Sequence, residues 1–226
     1  MKTNFRAINK GQAGFTIVEL MVGAVIGMII AGAILFVWMS QQKTYLHETD
    51  KTAVQTNLRA AIYILERDLR SAGYMRNCAS PPCLSFTSAN ASSLAFQAWD
   101  DSANATKTIK YQLYNSSTAG GTALGRQENS ASIQPVAFHI EALDFVYLDK
   151  QGNVLASPVP PSSLDNINSV EIAIVGRSKD TSLLFSHGAM QFKNMQGNVI
   201  FNAPADRYIR KSIITKVYCR NNFPRE

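Results

Sequence analysis

The stretch GFTIVEL, residues 14–20, opens the longest apolar run of the chain, which continues as LMVGAVIGMIIAGAILFVWM from Leu20 to Met39. The twenty residues of this run carry no charge. At about 1.5 Å per residue they form a helix of roughly 30 Å, which matches the hydrocarbon thickness of a bilayer. A secretory signal has a shorter apolar region of about 7–15 residues. The run therefore predicts a transmembrane helix over about residues 16–40.

The composition of the 226-residue chain restricts the class of protein further. Hydrophobic residues make up 46% and charged residues 17%, and the mean hydropathy of −0.06 excludes a protein with many membrane spans. The net charge is +6. Three of the positive charges, Lys2, Arg6 and Lys10, precede the apolar run with no acidic residue among them, which predicts a cytoplasmic N-terminus.

Glu19 is the acidic residue at the edge of the apolar run. A carboxylate costs about 2.5–3.5 kcal/mol at the centre of a membrane helix and less near its end. One interpretation is a boundary residue whose carboxylate reaches the lipid headgroups. The other is a functional group whose desolvation must be offset by a cationic partner.

The residues GFTIVEL, placed after a short basic leader and before an apolar helix, resemble the class III signal of type IV prepilins and pseudopilins. The resemblance implies that a prepilin peptidase cuts between Gly14 and Phe15 and methylates the amino group of Phe15. It also implies that Glu19 acts in assembly by pairing with the α-amino group of Phe15 on a neighbouring subunit, which would set the axial stagger between subunits. Loss of the leader, residues 1–14, lowers the net charge to +3.

Small residues recur in the apolar helix at Gly23, Gly27 and Ala31, each four positions apart. This spacing lines one helix face and allows another helix to approach closely. Glycine is also common in membrane helices without such a role. Both interpretations stay open, and we treat the three residues as a candidate helix-packing face.

The helical pattern continues beyond the membrane segment. Neither proline nor glycine interrupts residues 41–72, and Gly73 is a candidate helix stop. We therefore predict one long helix within residues 15–73, whose second half packs on a globular domain. The apolar stripe with a period of 3.6 residues consists of Val54, Leu58, Ile62, Leu65, Leu69 and Ala72.

The remainder of the chain, residues 74–226, has the pattern of a β-rich domain. Residues 74–93 have the composition of a loop, and residues 149–153 that of a hairpin turn leading to Val154. A change of phase within residues 136–148 indicates a bulge. The predicted fold is α+β and pilin-like, a long N-terminal helix on an antiparallel sheet. The expected strands are residues 94–99, 108–114, 136–148, 169–176 and 212–218.

Two segments of this domain carry a weaker resemblance. The sequence LDFVYLDKQGN, residues 143–153, and the ending DRYIRKSIITKVYCRNN, residues 206–222, resemble PilW-like minor pilins and the related GspJ-like pseudopilins. Cys219 stands where that pattern has an apolar residue. Residues 180–205 match nothing in the pattern and are predicted to be an insertion.

The three cysteines fit a disulfide rather than a metal site. Cys78 and Cys83 are close in sequence, and we favour this pair from proximity because the expected compartment is oxidising. A bridge from either cysteine to Cys219 is the alternative. The three histidines lie singly in the sequence and away from the cysteines, which disfavours metal binding.

No catalytic motif was found, so we expect neither an enzyme nor a cofactor. The resemblance implies a minor type IV pilin that helps to initiate pilus assembly, with a prepilin peptidase, other minor pilins, the major pilin and the inner membrane as partners. It places the protein in the inner membrane with a single span and a periplasmic C-terminal domain, and later in the pilus at the cell surface.

Three alternatives remain at this point. They are a minor pseudopilin of a type II secretion system, a tip adhesin or DNA-binding module, and a single-pass membrane enzyme or receptor. DNA is considered because positive charge is concentrated near the C-terminus. The candidate basic surface consists of Arg207, Arg210, Lys211, Lys216 and Arg220.

Overall fold

The computed structural model describes residues 14–75, 85–118, 120–182 and 186–221. The chain divides into two compact units, residues 1–46 and residues 47–226. In the described part of the first unit, residues 14–46, every side chain is exposed. One helix among the described residues, Ile17–Arg70, is long and apolar enough to span a membrane, judged by its length and composition.

This helix, α1, runs without interruption over Ile17–Arg70. Its part within the second unit is amphipathic, and the predicted 3.6-residue stripe is the face that is buried. Every member of that stripe, from Val54 to Ala72, is buried in the main hydrophobic core. The prediction that the second half of the helix packs on a β domain is therefore confirmed.

The helix ends close to Gly73, as the sequence predicts. Gly73 has φ +76°, in the left-handed region that favours glycine, and its N–H donates to the carbonyl of Gln97 at 2.9 Å. The side-chain amide of Asn221 donates to the carbonyl of Arg70 at 3.1 Å. The end of α1 is thus held by Gln97 of the β-rich part and by Asn221, the last described residue.

We predict that Gly73→Ala destabilises the second unit by about 2–3 kcal/mol, because strain at positive φ is added to a steric clash. An added Cβ would lie 2.6 Å from Ser85 Oγ and 2.8 Å from the carbonyl oxygen of Asn221. Gly152→Ala is the matched control, since Gly152 has φ +86° but open space around its Cβ position. Chemical unfolding should show about 1 kcal/mol for this control; an equal loss in both variants would contradict the clash.

The described part of the second unit contains ten strands in antiparallel sheets. The strands are β1 (Phe86–Ala89), β2 (Ser93–Asp100), β3 (Ala105–Ser116), β4 (Gly121–Glu128), β5 (Gln134–Phe138), β6 (Ile140–Leu148), β7 (Ser169–Arg177), β8 (Met190–Lys193), β9 (Val199–Ala203) and β10 (Arg210–Tyr218). One sheet has the order β1-β2-β3-β4-β5, a second has the order β10-β7-β6, and β8 and β9 form a hairpin. A short 3-10 helix, Pro161–Asn166, precedes β7.

The main core lies between α1 and the inner faces of the two larger sheets. Their apolar side chains alternate along the strands with side chains of the outer faces. Large buried contributors include Phe96, Tyr111, Phe145 and Tyr147, and all of them belong to one cluster with the buried stripe of α1.

Strand β7 is buried on both of its faces. Its residues Val170, Ile172 and Ile174 join the main core, whereas Val175 belongs to a second, smaller cluster with Phe192 and Ala203 of the β8–β9 hairpin. The hairpin thus covers the outer face of the three-stranded sheet. It arises from residues 180–205, which the sequence did not match to any pattern, and its strands were not predicted.

The run predicted as one bulged strand over residues 136–148 is two strands, β5 and β6, in different sheets. His139 separates them with φ +56°, and the pairing of β6 with β7 shifts between Ile140 and Ala142. The phase change therefore marks a real irregularity and, in addition, a change of sheet. The predicted turn is also present, since the N–H of Gly152 donates to the carbonyl of Asp149 at 3.1 Å.

Candidate functional site

Thr16 and Glu19 form a reciprocal set of hydrogen bonds at the start of α1. The N–H of Glu19 donates to Thr16 Oγ1 at 3.2 Å, and the N–H and hydroxyl of Thr16 donate to Glu19 Oε2 at 3.1 and 3.0 Å. This is a capping box, with Thr16 as the N-cap residue and Glu19 as the third residue of the helix. Glu19 therefore has a local role in the monomer that the sequence resemblance did not imply.

The Gly14–Phe15 bond lies outside the helix. Residues 14–16 precede α1 and are exposed, and Phe15 is 89% exposed. An irregular and exposed segment is the kind of backbone that a peptidase can reach. Cleavage at this bond and methylation of Phe15 stay predictions.

Gly23, Gly27 and Ala31 lie within α1 and are exposed. A Cβ added to Gly23 or Gly27 would meet no atom within 4 Å. The monomer alone therefore gives no steric reason for glycine at these two positions. Their assignment as a helix-packing face stays a prediction about contacts with another chain.

The N-terminal geometry coincides with a known sequence motif. Residues 9–35 match the family model described as the prokaryotic N-terminal methylation motif. Over this segment the chain is type IV pilin-like. The matched residues include the predicted cleavage position, the capping box and the three small residues, and the match ends before the β-rich part of the chain begins.

The structure is similar to that of a type IV-like pilin from Thermus thermophilus, with 15% sequence identity and a TM-score of 0.47 over 74% of this chain and 97% of that one. No curated protein sequence matches the chain.

A network of charged and polar side chains joins α1 to the five-stranded sheet. Asp68 is a buried residue of the helix, and its Oδ2 accepts bonds from the hydroxyl of Tyr111 at 2.7 Å and from Arg126 Nε at 2.6 Å. Burial, together with the nearby Asp68 carboxylate, raises the pKa of Tyr111 well above its usual range. This network was not predicted from the sequence, because Asp68 lies 43 positions from Tyr111 and 58 positions from Arg126.

The predicted basic surface is divided by the structure. Arg210 does not belong to an open basic surface as predicted, because its side chain is only 7% exposed. Its Nε lies 2.5 Å from Glu141 Oε2 and its Nη1 lies 2.6 Å from Asp206 Oδ1, so these two ion pairs neutralise its charge. Lys216 is also paired, because its Nζ lies 3.7 Å from Glu171 Oε1. The other predicted members, Arg207, Lys211 and Arg220, have no ion pair with any residue that the structure describes.

We predict that the Asp206–Arg210 pair makes the second unit sensitive to acid. The hydrogen bond from Arg210 holds the pKa of Asp206 below its ordinary value, so the pair stabilises the fold above about pH 4, the usual range of aspartate, and loses that effect as the pH falls through the lowered folded-state pKa. Asp206→Asn should flatten the acid side of a stability-versus-pH curve. Glu48→Gln, in an exposed pair with Lys51, is the control and should leave the curve unchanged.

The predicted disulfide between Cys78 and Cys83 lies outside the described residues. Cys219 is buried and free, and burial raises the pKa of its thiol to about 12. It forms no bridge with any described residue and stands in the core beside the end of β10, where the resembling pattern has an apolar residue.

The histidines are not as isolated as their sequence positions indicate. His47 of α1 and His187 of the segment before β8 have stacked rings with centroids 6.3 Å apart. Across the described part of the chain, no group of three or more histidine, cysteine, aspartate or glutamate side chains could hold a metal ion.

Proposed function

We propose that the chain is a minor type IV pilin that helps to initiate filament assembly, within a priming or tip complex. The observation that carries this proposal is Glu19, the third residue of an apolar helix that bears the methylation motif. A carboxylate at this position is costly in a membrane, and a neighbouring subunit's α-amino group would offset that cost in a filament. The resemblance of residues 143–153 and 206–222 to PilW-like minor pilins supports a minor rather than a major subunit.

The proposed pilin is processed in the inner membrane before it enters the pilus. A prepilin peptidase cuts after Gly14 and methylates Phe15, while the helix holds the protein in the inner membrane and residues 74–226 lie in the periplasm. The Gly23, Gly27 and Ala31 face then packs against helices of other minor pilins and of the major pilin. Assembly carries the domain to the cell surface as part of the pilus.

Two measurements test the proposal. Mass spectrometry of the protein purified from its own cells should show a mature chain that begins with methylated Phe15; a chain that still begins with Met1 would overturn it. Deletion of the gene should then reduce the number of pili while protein secretion continues. Loss of secretion with normal pili would assign the chain to a type II secretion system, and loss of surface or DNA attachment with normal pili would assign it to an adhesin.

A further inference from the structure

Strand β10 has one edge that no described strand covers. The sheet order β10-β7-β6 puts β10 at one side and β6 at the other. The outer edge of β6 is used, since the N–H of Phe145 donates to Ala91 and the carbonyl of Tyr147 accepts from Leu155. The edge of β10 that faces away from β7 has no such bonds within the described chain.

The pairing of β10 with β7 shows which residues of β10 direct their backbone N–H and C=O groups away from β7. The N–H of Ser178 donates to the carbonyl of Ile209, and the N–H of Cys219 donates to that of Asn168. These bonds fall in the same antiparallel register as β10 and β7. Because bonded and non-bonded pairs alternate, the odd-numbered residues of β10 bond to β7. The backbone groups that point outward belong to Arg210, Ser212, Ile214, Lys216 and Tyr218.

The surroundings of this edge are positively charged and partly apolar. Arg207 and Arg220 flank the strand and are exposed, and Lys211 lies within it. None of these three cations has an ion pair with a described residue. Ile214 and Tyr218 are exposed on the outer face. This edge is complementary to an extended segment. The backbone groups of β10 can pair with those of the segment, the three cations can meet its carboxylates, and Ile214 and Tyr218 can contact its apolar side chains.

We propose that the outer edge of β10 binds an acidic, extended segment of another protein subunit, which adds to the three-stranded sheet as a fourth strand. Backbone hydrogen bonds would supply the pairing, and carboxylates opposite Arg207, Lys211 and Arg220 would supply the preference for an acidic partner. The lysines also disfavour registers of self-pairing that oppose like charges. This inference does not depend on the pilin role.

The test uses the full chain in detergent micelles and a blocked peptide of alternating glutamate and valine as the probe. Hydrogen–deuterium exchange is resolved to single residues. At saturating peptide the outward amides of Ser212, Ile214 and Lys216 should exchange at about one tenth of their rate without peptide, or more slowly still. The amides of Ile213 and Thr215 should already exchange slowly without peptide, because they bond to β7. A peptide with glutamine in place of glutamate should bind about tenfold more weakly at low salt, and the difference should shrink as salt is added.

Ser212→Pro is the decisive variant, because proline removes an outward N–H and is tolerated where the N–H of an edge strand faces away from its neighbour. It should weaken peptide binding at least about tenfold, and Ser212→Ala should not. If Ser212→Pro fails to fold, the exposed double variant Arg207→Gln with Arg220→Gln should lower the preference for the glutamate peptide. Protection of the outward amides without peptide, whether within one chain or through dimerisation, would overturn the proposal. Equal binding of the glutamate and glutamine peptides would also overturn it, and so would peptide binding that leaves these amides unprotected.

Discussion

Glu19→Gln is expected to leave the chain processed and inserted in the membrane but to lower its incorporation into filaments about 100-fold, because the neighbouring α-ammonium would be left without its counter-charge in an apolar setting. Glutamine is also accepted at the third position of a capping box. The variant therefore removes the charge of Glu19 while it preserves the hydrogen bonds with Thr16. Incorporation is measured as the ratio of the protein in sheared filaments to that in membranes.

Thr16→Val is the complementary variant. It removes the hydroxyl that bonds to Glu19 in both directions and keeps the carboxylate, at a cost of about 1 kcal/mol in helix stability. We expect incorporation to fall by no more than about tenfold. If Thr16→Val is as defective as Glu19→Gln, or if Glu19→Gln incorporates normally, then capping rather than intersubunit pairing is the function of Glu19.

Asp68→Ala is expected to destabilise the second unit by about 3 kcal/mol, because it leaves the Tyr111 hydroxyl and the Arg126 guanidinium without their shared carboxylate. Arg126 is partly compensated by Glu128, which its Nη1 meets at 2.9 Å. The loss should therefore be at the lower end of what breaking a buried pair costs. Denaturant unfolding of the full chain in micelles, followed by near-ultraviolet circular dichroism, measures the change.

Arg67→Ala serves as the matched control for this network. Arg67 pairs with the other side of the same carboxylate at 3.2 Å but is 63% exposed, so its removal should cost about 0.5 kcal/mol or less. Tyr111→Phe should fall between the two, at about 1 kcal/mol. If all three variants cost the same, the buried geometry of Asp68 does not determine its contribution.

Periodicity explains which parts of the fold could be predicted. The 3.6-residue stripe from Val54 to Ala72 identified the buried helix face because burial of one face is what produces such a stripe. Strand β4 was missed because GTALGRQE contains two glycines and no clear alternation. The β8–β9 hairpin was missed because its buried side chains, such as Phe192 and Ala203, are few and its strands are short.

The candidate site was predicted unevenly for a similar reason. Gly14, Phe15 and Glu19 are recognised by local sequence, since they lie within six residues of one another. Glu141, one of the two partners of Arg210, could not be anticipated in the same way, because it lies 69 positions away in the sequence. Pairing across a sheet neutralises a charge that looks free in the sequence, so a count of basic residues overstated the basic surface.

The last turns of α1 form polar side-chain bonds with both larger sheets. Asp68 bonds to Arg126 of β4, and Glu66 accepts from Thr215 of β10 at 2.7 Å. The two anchoring residues are only two positions apart on α1, so a tension applied to this part of the helix would be shared between the two sheets. The second unit would therefore follow the helix when the helix is pulled, instead of peeling away from it.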